Sequence, residues 1–224
     1  MVVGEERMVF PGPLLTFKET LMLLKKGYTY RCILESMKRM GGGFLTALFF
    51  GLFLGTISGN FPSFKRFLSP LVTALRAIPT ASLVYLFIVL SGFKKAPMIM
   101  VSVISFPIIY ESVSSGLSSI EQDIRDAASL DGGGFLRNNV SLFLPLAFPF
   151  IESGLFSSFS LSFKIEIMAE VICGASLPGL GSIIAGVRSG DPTNMVPVFA
   201  YSLIAVVLML MVDFFAYLAR GDRA

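Results

Sequence analysis

The 224-residue chain has no histidine, no tryptophan and only two cysteines, Cys32 and Cys173. Without histidine, the commonest metal ligand and the commonest general base are both missing, which argues against a metal-dependent hydrolase or an intramembrane protease. One cysteine lies in a polar region and one in an apolar segment, so neither a disulfide framework nor a thiolate cluster is implied and both read as packing residues. Charge is scarce too. Asp, Glu, Lys and Arg make up 15% of the chain with a net charge of +3 spread along it, which leaves no basic patch or acidic tail for a nucleic acid. No G-x-x-x-x-G-K-S/T loop is present, and the three glycines at 132–134 are not followed by a lysine, so the usual cradle for ATP phosphates is missing. Residues 1–40 carry no uninterrupted apolar core of the signal-peptide kind and are read as mature sequence.

What the chain does have is apolar surface. Apolar residues make up 54% of it, too much for a soluble protein that must present a charged exterior, and this places it in a membrane. Crossing about 30 Å of hydrocarbon takes about 20 mostly apolar residues at 1.5 Å each. The stretches 42–58, 71–90, 96–113 and 196–218 meet this directly. The stretch 146–173 is long enough, but it holds Ser157, Ser158, Ser160, Ser162, Lys164, Glu166 and Glu170, which are costly against lipid, so it is expected inside a bundle. The fold class is therefore an all-α integral membrane protein with five transmembrane helices over residues 41–220. Residues 1–40 precede it as an amphipathic surface segment in which Leu14, Leu15, Phe17, Leu21 and Leu24 recur at helical spacing. Lys38 and Arg39 are expected at the membrane boundary with their heads in water.

Local signals qualify these spans. Gly43, Gly51, Gly55 and Gly59 form a stripe of small residues of the kind that lets helices pack backbone to backbone. Pro79 and Pro107 predict kinks inside the second and third spans. Arg76 stands near the end of its segment, so snorkelling to the surface and a role in a pathway are both open. Glu152, Glu166 and Glu170 share one helical face, because eighteen residues at 100° bring Glu170 back over Glu152 about 27 Å further on. Lys164 is off that face. If the stripe lined a path, it would favour a neutral or cationic cargo. Ties to neighbouring helices would account for the same carboxylates.

The polar interval 118–141 reads as short helix, break and short helix. Ser118 and Glu121 have capping-box spacing, with Leu117, Ile120, Ile124 and Ala127 on one face. Within the interval, Asp126-Ala127-Ala128, then Gly132, then Leu142-x-Leu144-Pro145 after nine residues resembles the Glu-Ala-Ala loop of ATP-binding-cassette importer permeases, E-A-A-x3-G-x9-I-x-L-P, with Asp in place of Glu and Leu in place of Ile. Arg76-x-Ile78-Pro79, and Ala169-Glu170 followed by Gly174 and Pro178-Gly179-Leu180-Gly181, resemble the nitrate, sulfonate and taurine branch of that family.

The resemblance covers about residues 30–220 and implies a type I importer permease in the inner membrane. Such a chain pairs as a homodimer around a path, with its 118–141 loop cytoplasmic and coupled to a separate ABC ATPase subunit through Asp126, Ala127, Ala128, Gly132, Leu144 and Pro145. ATP and Mg would then bind the ATPase and no cofactor this chain. An extracytoplasmic binding protein would deliver a small solute, such as a sulfonate, nitrate or a vitamin precursor such as a pyrimidine or riboflavin. Arg76, Pro79, Lys164, Glu166 and Glu170 are the candidates for the translocation path, with Glu170 in its outer gate. Many relatives carry a first spanning helix not found here. Five alternating spans with a cytoplasmic loop put the N-terminal cations Arg7, Lys18, Lys25, Lys26, Arg31, Lys38 and Arg39 outside, against the usual bias of Lys and Arg to the cytoplasm. The other function class compatible with these residues is a membrane enzyme using Glu166, Glu170 and Lys164 for acid–base chemistry, though no nucleophile and base stand in a recognisable motif.

Overall fold

A computed structural model describes residues 11–130 and 134–221, and among these every regular element is helical. Helix α1 spans Pro13–Leu24, with proline at its start where a missing N–H costs nothing. It is followed by α2 (Gly27–Asn60), α3 (Pro62–Ala77), α4 (Thr80–Ser91), α5 (Ala96–Ser118), α6 (Gln122–Leu130) and α7 (Phe135–Asn138). A π-helical turn, Asn139–Phe143, leads into α8 (Leu144–Cys173). After a 3-10 turn at Gly174–Ser176 come α9 (Leu180–Gly190) and α10 (Val196–Gly221).

Among the described residues, four helical stretches are long and apolar enough to cross a membrane: α2, α5, the run Asn139–Ser176 and Val196–Phe214. Helices α3 and α4 reach that standard only as a broken pair. One kinked helix over 71–90 was the expectation; instead the backbone is extended at Ile78 (ψ 130) and Pro79 (φ −57, ψ 125), and the helix ends and restarts. Proline disfavours helical geometry in the residue before it and offers no N–H of its own, and here the two effects together exceed a kink. Pro107, by contrast, stays inside α5. The surface segment expected over 1–40 also has no boundary at residue 40, because α2 runs unbroken from Gly27. Its α1 leaves Leu14, Leu15, Phe17 and Leu21 exposed, as a helix lying on a membrane does.

The chain divides into two compact units. Of the described residues, one comprises 11–43, 79–101 and 160–221; the other comprises 44–78, 102–130 and 134–159. Leu23, Leu180, Ala200, Tyr201 and Ile204 form a core in the first, and Ala47, Ile109, Val113, Leu117, Ala128, Phe143, Ala147 and Ile151 form a core in the second. The glycine stripe acts as its spacing predicts. A Cβ on Gly51, Gly55 or Gly59 would come within 2.8 Å of Ile109, Val113 or Leu117 respectively, four-residue steps on α2 meeting four-residue steps on α5. Between apolar helices in lipid there is little hydrophobic drive, so this close approach supplies the packing that holds the pair.

Candidate functional site

In the first unit, Glu166 and Glu170 are completely buried one turn apart on α8. A buried carboxylate is costly unless it is paired and hydrogen-bonded, and the partners come from elsewhere in the chain. Arg39 of α2, whose side chain is 15% exposed, donates from Nε to Glu166 Oε1 at 3.0 Å and from Nη2 to Glu170 Oε1, and also to the Pro178 carbonyl at 2.8 Å. Ser36, one turn earlier on α2, donates to Glu170 (2.7 and 2.8 Å) and accepts from the Leu180 N–H at 2.9 Å. Glu170 Oε2 accepts from the Gly181 N–H at 2.8 Å. The carboxylate of α8 and the hydroxyl of α2 thus satisfy free N–H groups at the start of α9, where the helix dipole favours negative charge.

The two glycines of the Pro178-Gly179-Leu180-Gly181 run are required by this approach. A Cβ on Gly179 would lie 2.3 Å from Glu170 Oε1 and 2.5 Å from Arg39, and one on Gly181 would lie 2.4 Å from the Ile167 carbonyl. Glu166 Oε2 is buried without a hydrogen-bond partner among the described residues. Arg39 therefore does not snorkel to water as expected, because two buried carboxylates draw it inward. Lys38 beside it does stay exposed, paired with Glu35 at 2.9 Å.

In the second unit, α6 lies with one face on its own chain. Ala128 is buried in the core with Leu117, Phe143 and Ala147, while Asp126 and Ala127 are exposed. Ala127, expected on the apolar face with Leu117, Ile120 and Ile124, is exposed, and Ala128 is the residue on the core, because the turn at 119–121 interrupts the helical register between Leu117 and α6. The capping box is not formed either: Ser118 is the last residue of α5, and its hydroxyl accepts from Lys65 at 3.3 Å. Gly132 lies outside the described residues. Leu144 is half-buried and Pro145 exposed at the start of α8, directly after the π turn. Arg76 pairs with Glu111 of α5, both about half exposed. Glu111 also lines a groove of about 430 Å³ whose wall is mostly apolar, with Ile108, Pro149 and Phe150, and carries Ser112, Ser115, Ser153 and Ser157.

The structure thus brings Glu166 and Glu170 together. It places Lys164 on the exposed side of α8, Pro79 at the break before α4, and Arg76 against Glu111. Glu152 is half-buried further along α8. Sequence reasoning missed Ser36, Arg39, Arg125 and Glu111 as partners. The available signal was charge balance: carboxylates with no cation on their own face need one from another apolar helix, and Arg39 was among the few within reach of such a segment.

The model of the binding-protein-dependent transport system inner membrane component family matches residues 47–220. A probable ABC transporter permease of Brucella melitensis is 26% identical, covering 78% of this chain and 70% of that one. The nitrate import permease of Leptolyngbya laminosa is 27% identical over 82% of this chain and 66% of its own length. A bicarbonate transport system permease of Synechococcus elongatus is 27% identical over 94% and 79%. Among solved structures, the MetNI methionine ABC transporter in an inward-facing conformation superposes with a TM-score of 0.74 at 17% identity, covering 88% of this chain and 97% of that one.

Proposed function

Since the chain belongs to the family of binding-protein-dependent transport system inner membrane components, a permease of ABC importers, we propose that two copies surround a translocation path for a small anion and take their drive from an ATPase seated on α6. The observation that carries this reading is the two-sided character of α6. Ala128 anchors the helix to the core of its own chain, while Asp126 and Ala127 face outward. A helix held from one side and free on the other can receive a push and pass it on. In this reading Leu144 and Pro145 pass it into α8, and Gly132 permits close approach of the ATPase.

The groove with its four serines and the Arg76–Glu111 pair is the stretch of wall we assign to the path. Hydroxyls can hydrogen-bond an anion, and Arg76 is exposed enough to exchange its partner for one. Glu166 and Glu170 do not repel such a cargo, because Arg39 and the start of α9 compensate them. That removes the argument for a neutral or cationic cargo drawn from the glutamate stripe. The names of the nitrate and bicarbonate permeases that resemble this chain point the same way.

The test is reconstitution of the chain with its ATPase and binding protein in proteoliposomes, measuring uptake of nitrate, bicarbonate and taurine against a neutral solute. Uptake of one of the anions that stops without ATP is expected. Uptake of the neutral solute alone, or uptake that persists without ATP, would contradict the proposal.

A further inference from the structure

The side chain of Arg125, on α6, points away from the outward face and into its own chain. Its Nη1 donates to Asn60 Oδ1 at 3.2 Å, and its Nη2 donates to the carbonyl of Leu117 and reaches that of Gly59 at 3.5 Å. The guanidinium carbon stands 5.2 Å from the centre of the Phe143 ring, within cation–π range. Gly59 and Leu117 are the next-to-last residues of α2 and α5, so their carbonyls belong to helix C-termini, which carry about half a negative charge each; the Leu117 carbonyl also accepts from the Ile120 N–H at 3.4 Å. One guanidinium thus caps two membrane helices at once and covers a ring of the π turn that opens a third.

The contacts around it close the arrangement. Asn60 Nδ2 donates to Asn139 Oδ1 at 2.7 Å, linking the end of α2 to the π turn. Asn138, just before that turn, donates to the Ala128 carbonyl at 3.0 Å in the last turn of α6. Helix α6 is therefore tied at its middle by Arg125 and at its end by Asn138, and both ties lead to the ends of α2, α5 and α8. Of the described residues resembling the Glu-Ala-Ala pattern, only Ala128 takes part in these ties.

We infer that Arg125 is the positioning residue that makes displacement of α6 a displacement of the α2, α5 and α8 ends. The inference rests on the importer reading above for what moves α6, but the latch itself belongs to this chain alone. A lysine keeps the charge without the fork that lets Nη1 reach Asn60 while Nη2 serves the two carbonyls, so it holds the latch only in part. The alternative role for an arginine here is direct contact with the ATPase, which the inward contacts oppose.

The experiment is hydrogen exchange on the full chain in nanodiscs, alone and with its copurified ATPase, for wild type, Arg125→Met, Arg125→Lys and the outward-facing control Gln122→Ala. Arg125→Met is expected to speed exchange of amides 123–129 roughly tenfold in the chain alone, since local opening follows the contacts that hold a segment down. Arg125→Lys should fall between, and Gln122→Ala should resemble wild type. In the complex, ATP with vanadate should alter exchange at 56–60 and 114–118 in wild type but not in Arg125→Met, although that variant still brings down the ATPase. Should Arg125→Met not accumulate, Asn60→Ala removes an acceptor of the same latch and should give the same pattern at smaller amplitude. Unchanged exchange at 123–129 in these variants would overturn the inference, as would loss of the ATPase with exchange unchanged. A wild-type chain that brings down no ATPase would instead sink the importer reading and leave the exchange result to judge the latch.

Discussion

Two carboxylates and one guanidinium share the buried space between Ser36 and Gly181, and each is tolerable only because the others are there. Removing one member of a buried ionic group leaves uncompensated charge, at a cost on the order of 3–5 kcal/mol. Arg39→Met is therefore expected to destabilise the chain by about that much, read from thermal unfolding in detergent and from abundance in the membrane. Adding Glu170→Gln should recover part of the loss, because one stranded charge is then gone. Equal stability of Arg39→Met and wild type would show that the cluster does not hold the first unit together. Glu170→Gln alone should reduce abundance more than uptake per molecule. The carboxylates stood out in sequence because charge inside an apolar helix is conspicuous. Their partner did not, since Arg39 lies 131 positions from Glu170 and has a neighbour, Lys38, that does snorkel. Nothing in local spacing distinguishes the cation that turns inward from the one that turns out.

At the scale of elements, hydropathy and small-residue periodicity told most of the story. The apolar stretches became helices, and Gly51, Gly55 and Gly59 meet α5 at the predicted interval. A side chain forced into that seam must push the helices apart, so Gly55→Val is expected to cost about 1–3 kcal/mol, measured by thermal unfolding beside the control Gly41→Val, where an added Cβ meets nothing within 4 Å. A neutral effect at Gly55 would mean the seam is loose. Helix ends were harder to read. The Ser118–Glu121 spacing imitates a capping box, but α5 continues through Ser118 because Leu117 is wholly buried and holds the last turn on the core. Pro79 breaks a segment that hydropathy alone renders continuous. The turn between α9 and α10 supplies a pH test. Asp191 accepts from the Thr193 hydroxyl and the Thr193 and Asn194 N–H groups, which hold its carboxyl below the usual carboxylate range. Because the folded value is the lower one, this support is complete above the ordinary carboxylate pKa and is lost as pH falls through the lowered value. Amide exchange at Thr193 and Asn194, corrected for intrinsic rate, should rise over that acidic interval in wild type and be raised at all pH values in Asp191→Ala.

For the whole molecule, family membership was readable from twenty residues, 126–145, because a fixed spacing of small, flexible and apolar positions is more specific than any composition. Which residue of the Ala127–Ala128 pair faces inward was misread as Ala127, since both are alanine and the break after α5 shifts the register by which the face was counted. Orientation in the membrane follows from the importer reading: with α6 cytoplasmic and α8 crossing once, Ser119 lies inside and Ser189 outside. Single cysteines at the two positions, labelled from outside intact cells, should react at Ser189→Cys only. Reaction at Ser119→Cys instead would invert the topology and bring the N-terminal cations to the cytoplasmic side, in line with the positive-inside bias. The claim on which all of this depends is that the outer face of α6 seats an ATPase. The direct measurement is affinity purification of the tagged chain from membranes, for wild type and for Ala127→Glu, a change on the exposed face that leaves the Ala128 anchor intact. The account predicts a P-loop ATPase in stoichiometric amount with wild type and its loss with Ala127→Glu at unchanged abundance; a wild-type chain that purifies without any ATPase would contradict it.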